Sequence, residues 1–579
     1  MHYISKVILK NYKSIIEEEF LLSPYTSLVG YNNAGKSNIL DGIKWLVSKS
    51  SLDKSCFNNA EQEIEIIGDI EGVNEELLEQ LTDNHRNSIA PYIFEQKLRI
   101  RRIQSEPSLS VRNLNIQVWN EDNQDWSNNP AGIENAIKQL FPEPIEIGAM
   151  EDSAEDVSKF KSSTTIGKLI AEVMSPIEVN HSEAITTALN GLKERFDADG
   201  QDRAEELNQF DQDATAKLQE LFPGIEIKMH IPTPELKEVF KSGTIKVYEN
   251  EQRRDLSAFG HGTQRSIQMA LIRHLAEVQQ NQQNRVSNTL LLIDEPELYL
   301  HPQAVEQVRS ALKALSIIGY QVIFSTHSPQ MIPSEDIKYT LLIRKHLERG
   351  TYARKRLKDA IDEVIENALT QFELLFSLEN ANAILFSEKV ILTEGKTEKK
   401  LIPHLFSHHH SKTLGQEKLA LVGQGGVDNT SKAISVLEVM DLPCKAIVDL
   451  DFAFKGAVTN GLIDAEDQNL NSCKDKFLEN DEIELSDDGL PKNGGGLTPS
   501  QAYKWLAEQN DMQQAIQALH LILRKNNIWL WKKGDIEVHL GLKSKTERVW
   551  ATYKQRLIDE NFEQVVTDPE VVEMLNWIS

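Results

Sequence analysis

Residues 26–37 read Thr26-Ser-Leu-Val-Gly30-Tyr-Asn-Asn-Ala-Gly35-Lys36-Ser37, an apolar strand that runs straight into a glycine-rich loop. Residues 38–49 continue with apolar side chains at helical spacing, so the loop is predicted to lie between a strand and a helix. In that context the backbone N–H groups converge on the α- and β-phosphates of a nucleotide, Lys36 reaches the β- and γ-phosphates, and the Ser37 hydroxyl is placed for Mg²⁺. This stretch therefore predicts an α/β nucleotide-binding domain built on a P-loop.

Other strand ends supply the residues that a P-loop needs. The apolar run 290–293 ends in Asp294 and Glu295, which we expect to hold the Mg²⁺ shell and to polarise the attacking water. His327 follows another apolar strand and is interpreted as a γ-phosphate sensor, with a satisfied core histidine as the alternative. Residues 257–265 open a helix whose free N–H groups suit an anion. The predicted nucleotide-binding residues are Gly30, Asn33, Gly35, Lys36, Ser37, Asn38, Gly260, Gly262, Asp294, Glu295 and His327, with Ser37 and Asp294 as metal ligands and Glu295 as a catalytic residue.

The bulk composition is that of a globular protein with several domains. The chain has 579 residues, of which 40% are hydrophobic and 26% are charged. It contains no apolar run approaching the ~18 residues that span a bilayer, and its start lacks a signal-peptide pattern, so we expect a cytoplasmic protein. Three scattered cysteines have no metal-ligand spacing, which argues against structural zinc and suits a reducing compartment.

A net charge of −26 counts against a nucleic-acid partner, because backbone binding depends on Lys and Arg. Local basic patches must carry any such binding. Three candidates are the strand-like stretch 97–102, the stretch 344–358 and the stretch 524–556. For each patch, contact with DNA and an ordinary solvated face stay open as alternatives.

A second group of acids follows apolar strands in the C-terminal part. Glu394 ends the run 389–393, Glu398 follows on the first helical turn, and Asp449 and Asp451 come after the run 445–448. Carboxylates that converge in this way repel one another unless cations lie between them, so Mg²⁺ or Mn²⁺ is expected. A pair of such ions stabilises the attacking water and the leaving oxygen in phosphodiester hydrolysis.

Further residues are assigned to this acidic site. Glu537, after another strand, is expected to complete the second metal, with Lys532 or Lys533 neutralising the transition state. The run His408–His410 is interpreted as part of a solvent loop, because it has no placed partner. The predicted metal ligands are Glu394, Glu398, Asp449, Asp451 and Glu537, and the predicted catalytic residues are Glu394, Asp449, Asp451, Lys532 and Lys533.

These segments predict an α/β head with an inserted helical arm, followed by a second α/β domain. The arm is sparsely apolar, as expected of helices that pack against a partner subunit, although an ordinary surface hairpin is the alternative. The predicted boundaries are 1–157 for the first part of the head, 158–222 for the arm, 223–358 for the second part of the head, 359–388 for a helical linker, and 389–579 for the C-terminal domain with its helices.

The head resembles the ABC-type ATPase heads of the structural-maintenance-of-chromosomes and RecF-like proteins. The resemblance depends on the P-loop, the signature-like Phe259-Gly-His-Gly-Thr-Gln-Arg265, the segment Asp294-Glu-Pro-Glu-Leu-Tyr-Leu-His-Pro302 and Ser325-Thr-His-Ser-Pro329. It implies that two heads sandwich ATP, so a homodimer through the heads and the arm is expected. The signature lacks the usual leucine-serine lead, and the segment 147–155 takes the place of a glutamine loop, which predicts slow turnover or a regulatory use of ATP.

The acidic domain resembles Toprim domains of topoisomerases, primases and related nucleases. A Toprim unit after an ABC-type head resembles the OLD (overcoming lysogenization defect) family of ATP-dependent nucleases over nearly the whole chain. That resemblance implies a two-metal DNA endonuclease with ATP as cofactor, active in bacterial defence against phage, often beside a partner protein. Residues 449–454, Asp-Leu-Asp-Phe-Ala-Phe, lack the downstream glutamate that some members use for the second metal.

Other functions are weighed against this hypothesis. The main alternative is a RecF-type ATP-driven DNA clamp that does not cut. A topoisomerase would need a nucleophilic tyrosine, for which Tyr503 and Tyr553 offer no recognisable context. A primase would need a zinc module, which three cysteines do not supply.

Overall fold

The computed structural model describes residues 2–141, 144–148, 165–234, 246–249, 251–255, 258–280, 288–365, 381–424 and 429–579. The chain forms two compact units, Met1–Thr26 with Ser37–Thr326, and Ser27–Lys36 with His327–Ser579.

The strands and helices follow the chain in this order. The strands are β1 (Tyr3–Tyr12), β2 (Ile15–Leu21), β3 (Tyr25–Val29), β4 (Ile64–Glu71), β5 (Ile93–Phe94), β6 (Lys97–Gln104), β7 (Ile116–Asn120), β8 (Asp125–Asn128), β9 (Ile145–Ile147), β10 (Lys246–Glu249), β11 (Gln252–Asp255), β12 (Thr289–Ile293), β13 (Tyr320–Thr326), β14 (Leu341–His346), β15 (Gly350–Ala353), β16 (Lys389–Thr393), β17 (Leu419–Gly423), β18 (Cys444–Val448), β19 (Glu484–Leu485), β20 (Pro491–Lys492) and β21 (Ile528–Leu530). The helices are α1 (Lys36–Val47), α2 (Glu75–Glu79), α3 (Asp83–Ile89), α4 (Ile133–Leu140), α5 (Thr165–Phe196), α6 (Glu205–Gln219), α7 (His261–Gln280), α8 (Pro302–Leu315), α9 (Leu357–Val364), α10 (Lys396–His410), α11 (Thr430–Val439), α12 (Gly456–Thr459), α13 (Gln468–Phe477), α14 (Pro499–Glu508), α15 (Gln513–Lys525), α16 (Ile536–His539), α17 (Glu547–Asp559), α18 (Phe562–Val565) and α19 (Pro569–Ile578).

The first unit contains an antiparallel sheet and a parallel one. In the antiparallel part, β1 lies between β2 and β4, and the ladder continues through β6 and β7 to β8. In the parallel part, β12 lies between β9 and β13. Every residue of β12 and β13 is buried, which is why both read as continuous apolar runs rather than alternating ones. These strands carry Asp294 and Ser325 at their ends.

The second unit contains the C-terminal parallel sheet, in the order β17, β16, β18, β21. Both faces of this sheet are covered, because alternate residues of its strands belong to different cores. Val390 and Leu392 pack in a cluster with α11 and α15, whereas Ile391 packs in a cluster with α10 and the C-terminal helices. The carboxyl ends of β16 and β18 therefore open at one edge of a sheet that is buried on both faces, the usual place for a site in such folds.

The predicted arm contains two long helices, α5 and α6. No residue of α6 is buried. Residues 158–164 of the predicted arm lie outside the described residues, as do residues 366–380 of the predicted linker, where α9 ends at Val364 and a 3-10 helix spans Ala381–Phe386. Among the helices described, none is both long and apolar enough to cross a lipid bilayer.

Candidate active site

The four predicted acids lie at the carboxyl edge of the C-terminal sheet. Because β16 and β18 are neighbours, Glu394, next after β16, and Asp449, next after β18, reach the same edge. The Asp449 backbone N–H donates to Oε2 of Glu394 at 3.3 Å. Glu398 is buried in the first turn of α10, and Asp451 lies in the 3-10 turn that follows β18. Each acid directly follows a strand or lies in the first turn after it, so the neighbouring strands β16 and β18 bring these carboxylates together.

These carboxylates interact electrostatically. Burial, and then the negative charge of Asp451, raises the pKa of Glu394 to about 7. Burial also raises the pKa of Glu398 to about 7, and the charges of Glu537 and Glu394 add to this. The pKa of Asp449 lies well above its usual range, because of burial and then the charges of Glu398 and Glu394. The cluster is therefore costly to ionise without a cation.

Two buried carboxyl oxygens of the cluster receive no hydrogen bond from the described residues. Oδ1 of Asp449 and Oδ1 of Asp451 have no hydrogen-bond partner among the described residues. Leaving such oxygens unpaired is unfavourable unless another positive group reaches them. A set of carboxylate oxygens alone is the donor set that Mg²⁺ and Mn²⁺ prefer. The residues present therefore fit a divalent metal site.

Gly395 is required for space rather than for backbone conformation. Its φ of −104° is open to any residue, so no left-handed turn requires a glycine here. A Cβ built at this position would collide with the carboxylate of Glu398. The glycine thus lets the chain between β16 and α10 run directly over a metal-ligand candidate.

Glu537 belongs to the same cluster, as the sequence predicted. It is buried in the first turn of α16, and its Oε1 accepts a hydrogen bond of 2.5 Å from the Thr397 hydroxyl. Thr397 is next to Glu398, so α10 and α16 bring their carboxylates to one place. The charge of Glu537 is among the causes that raise the pKa of Glu398.

Lys532 and Lys533 lie elsewhere, which corrects the prediction that one of them faces the acids. Nζ of Lys532 donates to Gln517 at 2.7 Å, and Nζ of Lys533 lies 2.6 Å from Asp568. Among the described contacts of these amino groups, none is with the four acids. Both lysines follow β21, and the chain turns there so that their side chains point toward α15 and the segment before α19 instead.

His539, Asp568 and Glu570 form a buried triad whose ligand atoms lie within 4.8 Å of one another. No sequence pattern predicted this triad. Nδ1 of His539 is 2.8 Å from Oδ2 of Asp568, and the Lys533 backbone N–H donates to Nε2 at 3.2 Å. Because Nε2 accepts and Nδ1 donates, both ring nitrogens are used within the fold. The triad is therefore a structural hydrogen-bond network rather than a metal site.

In the first unit, the predicted Mg²⁺ ligands of the nucleotide site are in contact. The Ser37 hydroxyl donates to Oδ2 of Asp294 at 2.6 Å, and the Ser325 hydroxyl donates to the other oxygen of that carboxylate. Glu295, the next residue, has a φ of 48°, and its N–H donates to the Ser325 carbonyl at 3.2 Å. Asn38 donates to the Ser14 hydroxyl at 2.7 Å.

The signature-like segment is linked to this carboxylate pair by Arg265, which the sequence analysis did not identify as a site residue. Its guanidinium donates to the carbonyls of Asp294 and Glu295, each at 2.8 Å. Burial lowers the pKa of Arg265 to about 10. Gly260 precedes α7, and an added Cβ there would meet no atom within 4 Å, whereas Gly262 approaches Tyr299. Ser257 and residues 149–155 of the expected glutamine loop lie outside the described residues.

In the second unit, the P-loop lysine is held within its own loop. Nζ of Lys36 donates to the carbonyl of Gly30 at 2.9 Å and to that of Tyr31 at 3.2 Å, and it lies 2.9 Å from Nε2 of His327. The loop reverses through two left-handed residues, Asn33 with a φ of 64° and Gly35 with a φ of 101°. His327 thus lies beside the P-loop lysine, and its role as a γ-phosphate sensor stays a prediction.

Comparisons with known proteins agree with this combination of sites. A model of the AAA ATPase domain matches residues 2–332, and a model of the overcoming lysogenization defect protein-like TOPRIM domain matches residues 385–451. The Old nuclease of Escherichia phage P2 is 35% identical over 588 residues, which cover 99% of this chain and 99% of that protein. This chain belongs to the OLD family of nucleases.

One more distant relative and one solved structure are also similar to parts of this OLD-family chain. The OLD nuclease of Thermus scotoductus is 29% identical over 166 residues, 28% of this chain and 30% of that protein. A solved Smc head bound to the C-winged helix domain of ScpA covers 62% of this chain and 99% of its own, at 16% identity and a TM-score of 0.38. The predictions of OLD-family membership, of an ATPase head followed by a TOPRIM domain, and of a nuclease are confirmed. The domain boundaries stay predictions.

Among the residues that the structure describes, Lys545 is the cation that approaches the TOPRIM acids of this OLD-family chain. It lies in the loop between α16 and α17, with Nζ 3.3 Å from Oε2 of Glu537 and 3.5 Å from Oδ2 of Asp535. It also lowers the pKa of Glu394 and of Asp449. Its neighbours Lys543 and Ser544 give no pattern that distinguishes it, so only the fold reveals it.

The P-loop of the OLD-family chain also touches the start of the TOPRIM domain through Tyr31. Burial, followed by the charge of Glu388, raises the pKa of the Tyr31 hydroxyl to about 12. Glu388 directly precedes β16 and lies 2.8 Å from Nε of Arg344 and 3.0 Å from Arg354. Nζ of Lys418 lies 4.5 Å from the Tyr31 ring centroid.

Most of the predicted basic patches are engaged within the fold. In β6, Arg102 is 1% exposed and donates to backbone carbonyls, and Arg101 is paired with Glu65 at 2.8 Å. Arg344 and Arg354 of the second patch hold Glu388. The remaining ion pairs of the patches are Lys97 with Glu71, Arg99 with Asp69, Lys355 with Glu363, Arg356 with Asp359, Lys358 with Asp362, Arg524 with Glu573 and Arg556 with Glu560. The solvated or structural interpretation is therefore favoured for these side chains.

Proposed function

We propose that this chain is an ATP-regulated, divalent-metal-dependent DNA endonuclease that acts at the TOPRIM acids. The observation that carries the proposal is the pair of buried, donorless oxygens on Asp449 and Asp451, beside carboxylates whose pKa values are raised by burial and mutual repulsion. Phosphodiester substrates are anionic, so such an acidic site approaches them only through metal ions. A role in bacterial defence against phage is proposed from the family resemblance.

The acids of the cluster would hold the metal ions. The proposed ligands are Glu394, Glu398, Asp449, Asp451 and Glu537. When bound, a pair of Mg²⁺ or Mn²⁺ ions lowers the pKa of the attacking water and neutralises charge on the leaving oxygen. Lys545 adds a fixed positive charge next to the scissile phosphate, which stabilises the extra negative charge of the transition state. The Thr397 hydroxyl orients Glu537.

The ATPase domain would use ATP with Mg²⁺ to control this chemistry. Lys36 is proposed to bind the β- and γ-phosphates, Ser37 and Asp294 to hold the ion, and Glu295 to orient the attacking water. The contact of Ser37 with Asp294 supports this assignment. We propose a homodimer formed through the heads and the arm, in which each head completes the other's nucleotide site. A second defence protein is a further proposed partner.

The test is cleavage of supercoiled plasmid DNA by the full chain. We expect nicked and linear products with Mg²⁺ or Mn²⁺, and their loss with EDTA. Asp449→Asn should abolish cleavage while ATP binding stays unchanged, whereas Asp475→Asn, an exposed helical residue of the same unit, should leave cleavage intact. Metal-independent cleavage, or full activity of Asp449→Asn, would contradict the proposal. DNA binding without any cleavage would instead favour the ATP-driven clamp.

A further inference from the structure

The arm ends in an extended segment, residues 225–231, that lies along its two helices. It reads Ile225-Glu-Ile-Lys-Met-His-Ile231 between Pro223-Gly224 and Pro232, a strict alternation of apolar and polar residues. It pairs with no strand of the described residues. Its sequence has the period of a strand, and its prolines mark where such a strand begins and ends.

One edge of this segment is bound to the arm helices. The N–H groups of Ile227, Met229 and Ile231 donate to Thr215 Oγ1 at 3.0 Å, Asp211 Oδ1 at 2.8 Å and the Phe196 carbonyl at 3.2 Å, respectively.

The carbonyls of the same residues point the same way. The carbonyl of Ile227 accepts from Thr215 at 3.3 Å, and that of Met229 accepts from Arg203 at 2.8 Å. In an extended chain the N–H and C=O of one residue point to the same side, and those of its neighbours point to the other. The odd-numbered residues therefore face the helices.

The other edge is unpaired. The backbone N–H and C=O groups of Glu226, Lys228 and His230 make no hydrogen bond with any described residue. The apolar side chains alternate with them and are exposed as well, from 38% for Ile227 to 50% for Ile225. An apolar strand with a free edge is a template for another strand and is rarely left uncovered. No described residue covers this edge, so it is free to pair with another strand.

We propose that this edge pairs with the same segment of a second copy of the chain, antiparallel and around a two-fold axis at Lys228. A two-fold axis makes residue i face residue j and residue j face residue i. Only the even-numbered residues point their backbone N–H and C=O groups outward. An even-numbered residue must therefore lie opposite an even-numbered residue of the second copy. The register that centres the segment puts Lys228 opposite Lys228 of the partner subunit, and Glu226 opposite His230 of the partner subunit.

This register is complementary in charge and in polarity. Glu226, an acceptor, faces the imidazole of His230 of the partner subunit twice, because the two-fold axis repeats the pair. Nδ1 of His230 lies 3.5 Å from Asp197 of the same copy, so Nε2 is the ring nitrogen left to donate to Glu226. Nζ of each Lys228 lies 3.3 Å from Oδ1 of Asp199 in the same copy, and this ion pair reduces the repulsion between the two lysines at the axis. The four apolar side chains of each copy, at positions 225, 227, 229 and 231, line up on one face and form a continuous stripe of eight. The inference deepens the proposed homodimer by naming its segment, and it rests on the proposed function only for the expectation of a dimer.

Cysteine cross-linking of the full chain tests the register. The central pair is a hydrogen-bonded pair with Cα atoms about 5.5 Å apart, within the range of a disulfide. Lys228→Cys should therefore give a covalent dimer on mild oxidation. Ile227→Cys is the matched control, because position 227 faces Met229 of the partner subunit and lies diagonally about 7–8 Å from its own copy. Of the natural cysteines, Cys444 and Cys473 are buried and Cys56 is half-buried, so wild type should not cross-link.

Sedimentation velocity tests the hydrogen-bonded edge. Lys228→Pro removes an outward N–H that the arm itself does not use, so the chain still folds while the dimer dissociation constant should rise about tenfold or more. Lys228→Ala, which keeps the N–H, should dimerise like wild type. Equal cross-linking at 227 and 228, or an unchanged dimer in Lys228→Pro, would overturn the strand pairing and leave the nuclease proposal intact. A wild-type monomer at all concentrations would overturn both the strand pairing and the proposed dimer.

Discussion

Nζ of Lys545 lies 3.3 Å from Oε2 of Glu537, in a loop that brings a cation to the edge of the acidic cluster. Burial alone lowers the pKa of Lys545, but the charges of Glu537, Asp449 and Asp535 outweigh it and raise the pKa above the usual value. Lys545 therefore stays charged throughout the pH range near 7 in which Glu394 and Glu398 lose their protons. It is poised to interact with a phosphate rather than to exchange a proton.

Lys545→Gln is expected to slow plasmid cleavage by about 10²-fold, the effect of removing one preorganised electrostatic group. The Mg²⁺ affinity should not fall, because a cation next to the metal site is lost rather than a ligand. Cleavage rates across a Mg²⁺ titration separate the two effects. Lys543→Gln, an exposed neighbour, is the control. Restoration of the rate by high Mg²⁺ would argue that Lys545 only shapes the metal site.

The buried acids predict that the metal-free protein loses stability as the pH rises. The pKa of Glu398 is 4.5 in the unfolded chain and about 7 in the fold, so between these values the folded state binds more protons and stability falls with pH. Glu398→Gln has no proton to lose. Its thermal unfolding midpoint in EDTA should therefore rise relative to wild type from pH 4.5 to about 7.

Saturating Mg²⁺ should reverse this trend in wild type, because the ion binds the ionised carboxylates and its stabilisation grows with pH. Glu398→Gln should gain less from Mg²⁺. A midpoint difference between the two proteins that is independent of pH would show that Glu398 ionises normally in the fold.

Gly395→Ala is expected to slow cleavage by about 10²-fold through a single added methyl group. The Cβ would collide with the carboxylate of Glu398, so either that side chain or the start of α10 must move, and displacement of a reacting group costs about 10²-fold. Binding of a fluorescent ATP analogue should be unchanged. Gly415→Ala, whose nearest neighbour is an ordinary 3.8 Å contact, is the control. Wild-type cleavage by Gly395→Ala would mean that the carboxylate position is not critical.

Arg265→Met should impair ATP hydrolysis and lower stability. Its guanidinium binds the carbonyls of Asp294 and Glu295, and removal leaves buried acceptors unpaired at a cost of about 1–3 kcal/mol. The measurements are phosphate release and the chemical unfolding of the full chain. Arg273→Met removes only an exposed bond to Gln307 and should change neither. Normal ATP hydrolysis by Arg265→Met would show that hydrolysis does not depend on the hydrogen bonds from Arg265 to these two carbonyls.

Tyr31→Phe should reduce the effect of ATP on cleavage. The charge of Glu388 acts on the hydroxyl of Tyr31 in the P-loop, and Glu388 directly precedes β16, the strand that Glu394 follows. Without the hydroxyl, nucleotide binding and metal-dependent cleavage should persist, and the ratio of cleavage rates with and without ATP should move toward one. Tyr248→Phe, at an exposed position of β10, is the control. An unchanged ratio would place the communication elsewhere.

Much of the fold and of the candidate site follows from local patterns. The predicted runs 290–293, 389–393 and 445–448 are the strands β12, β16 and β18 to within one residue. Fully buried parallel strands must be continuously apolar, and the residue after such a strand lies at the carboxyl edge. The positions of Asp294, Glu394 and Asp449 were therefore predictable from sequence neighbours alone.

The positions of Lys545 and Arg265 were not predictable in that way. Each acts on residues far along the chain, Lys545 on Asp449 and Arg265 on Asp294. Lys545 lies in a loop, and the helical period of α7 places Arg265 on one helix face without showing what that face contacts. From the sequence, Lys532 and Lys533 were equally plausible as cations at the acidic site. Charge and proximity in the sequence do not determine which side of a turn faces the acids.

The amino-acid sequence by itself determined where phosphate-binding and acidic groups occur, because strand, loop and helix signals are written in adjacent residues. The tertiary structure alone decided which cation faces the acids, which carboxylate oxygens lack donors, and which edge of residues 225–231 is free. These properties depend on burial and on contacts between distant segments, and a pKa or an unpaired hydrogen bond has no value until those segments have packed together.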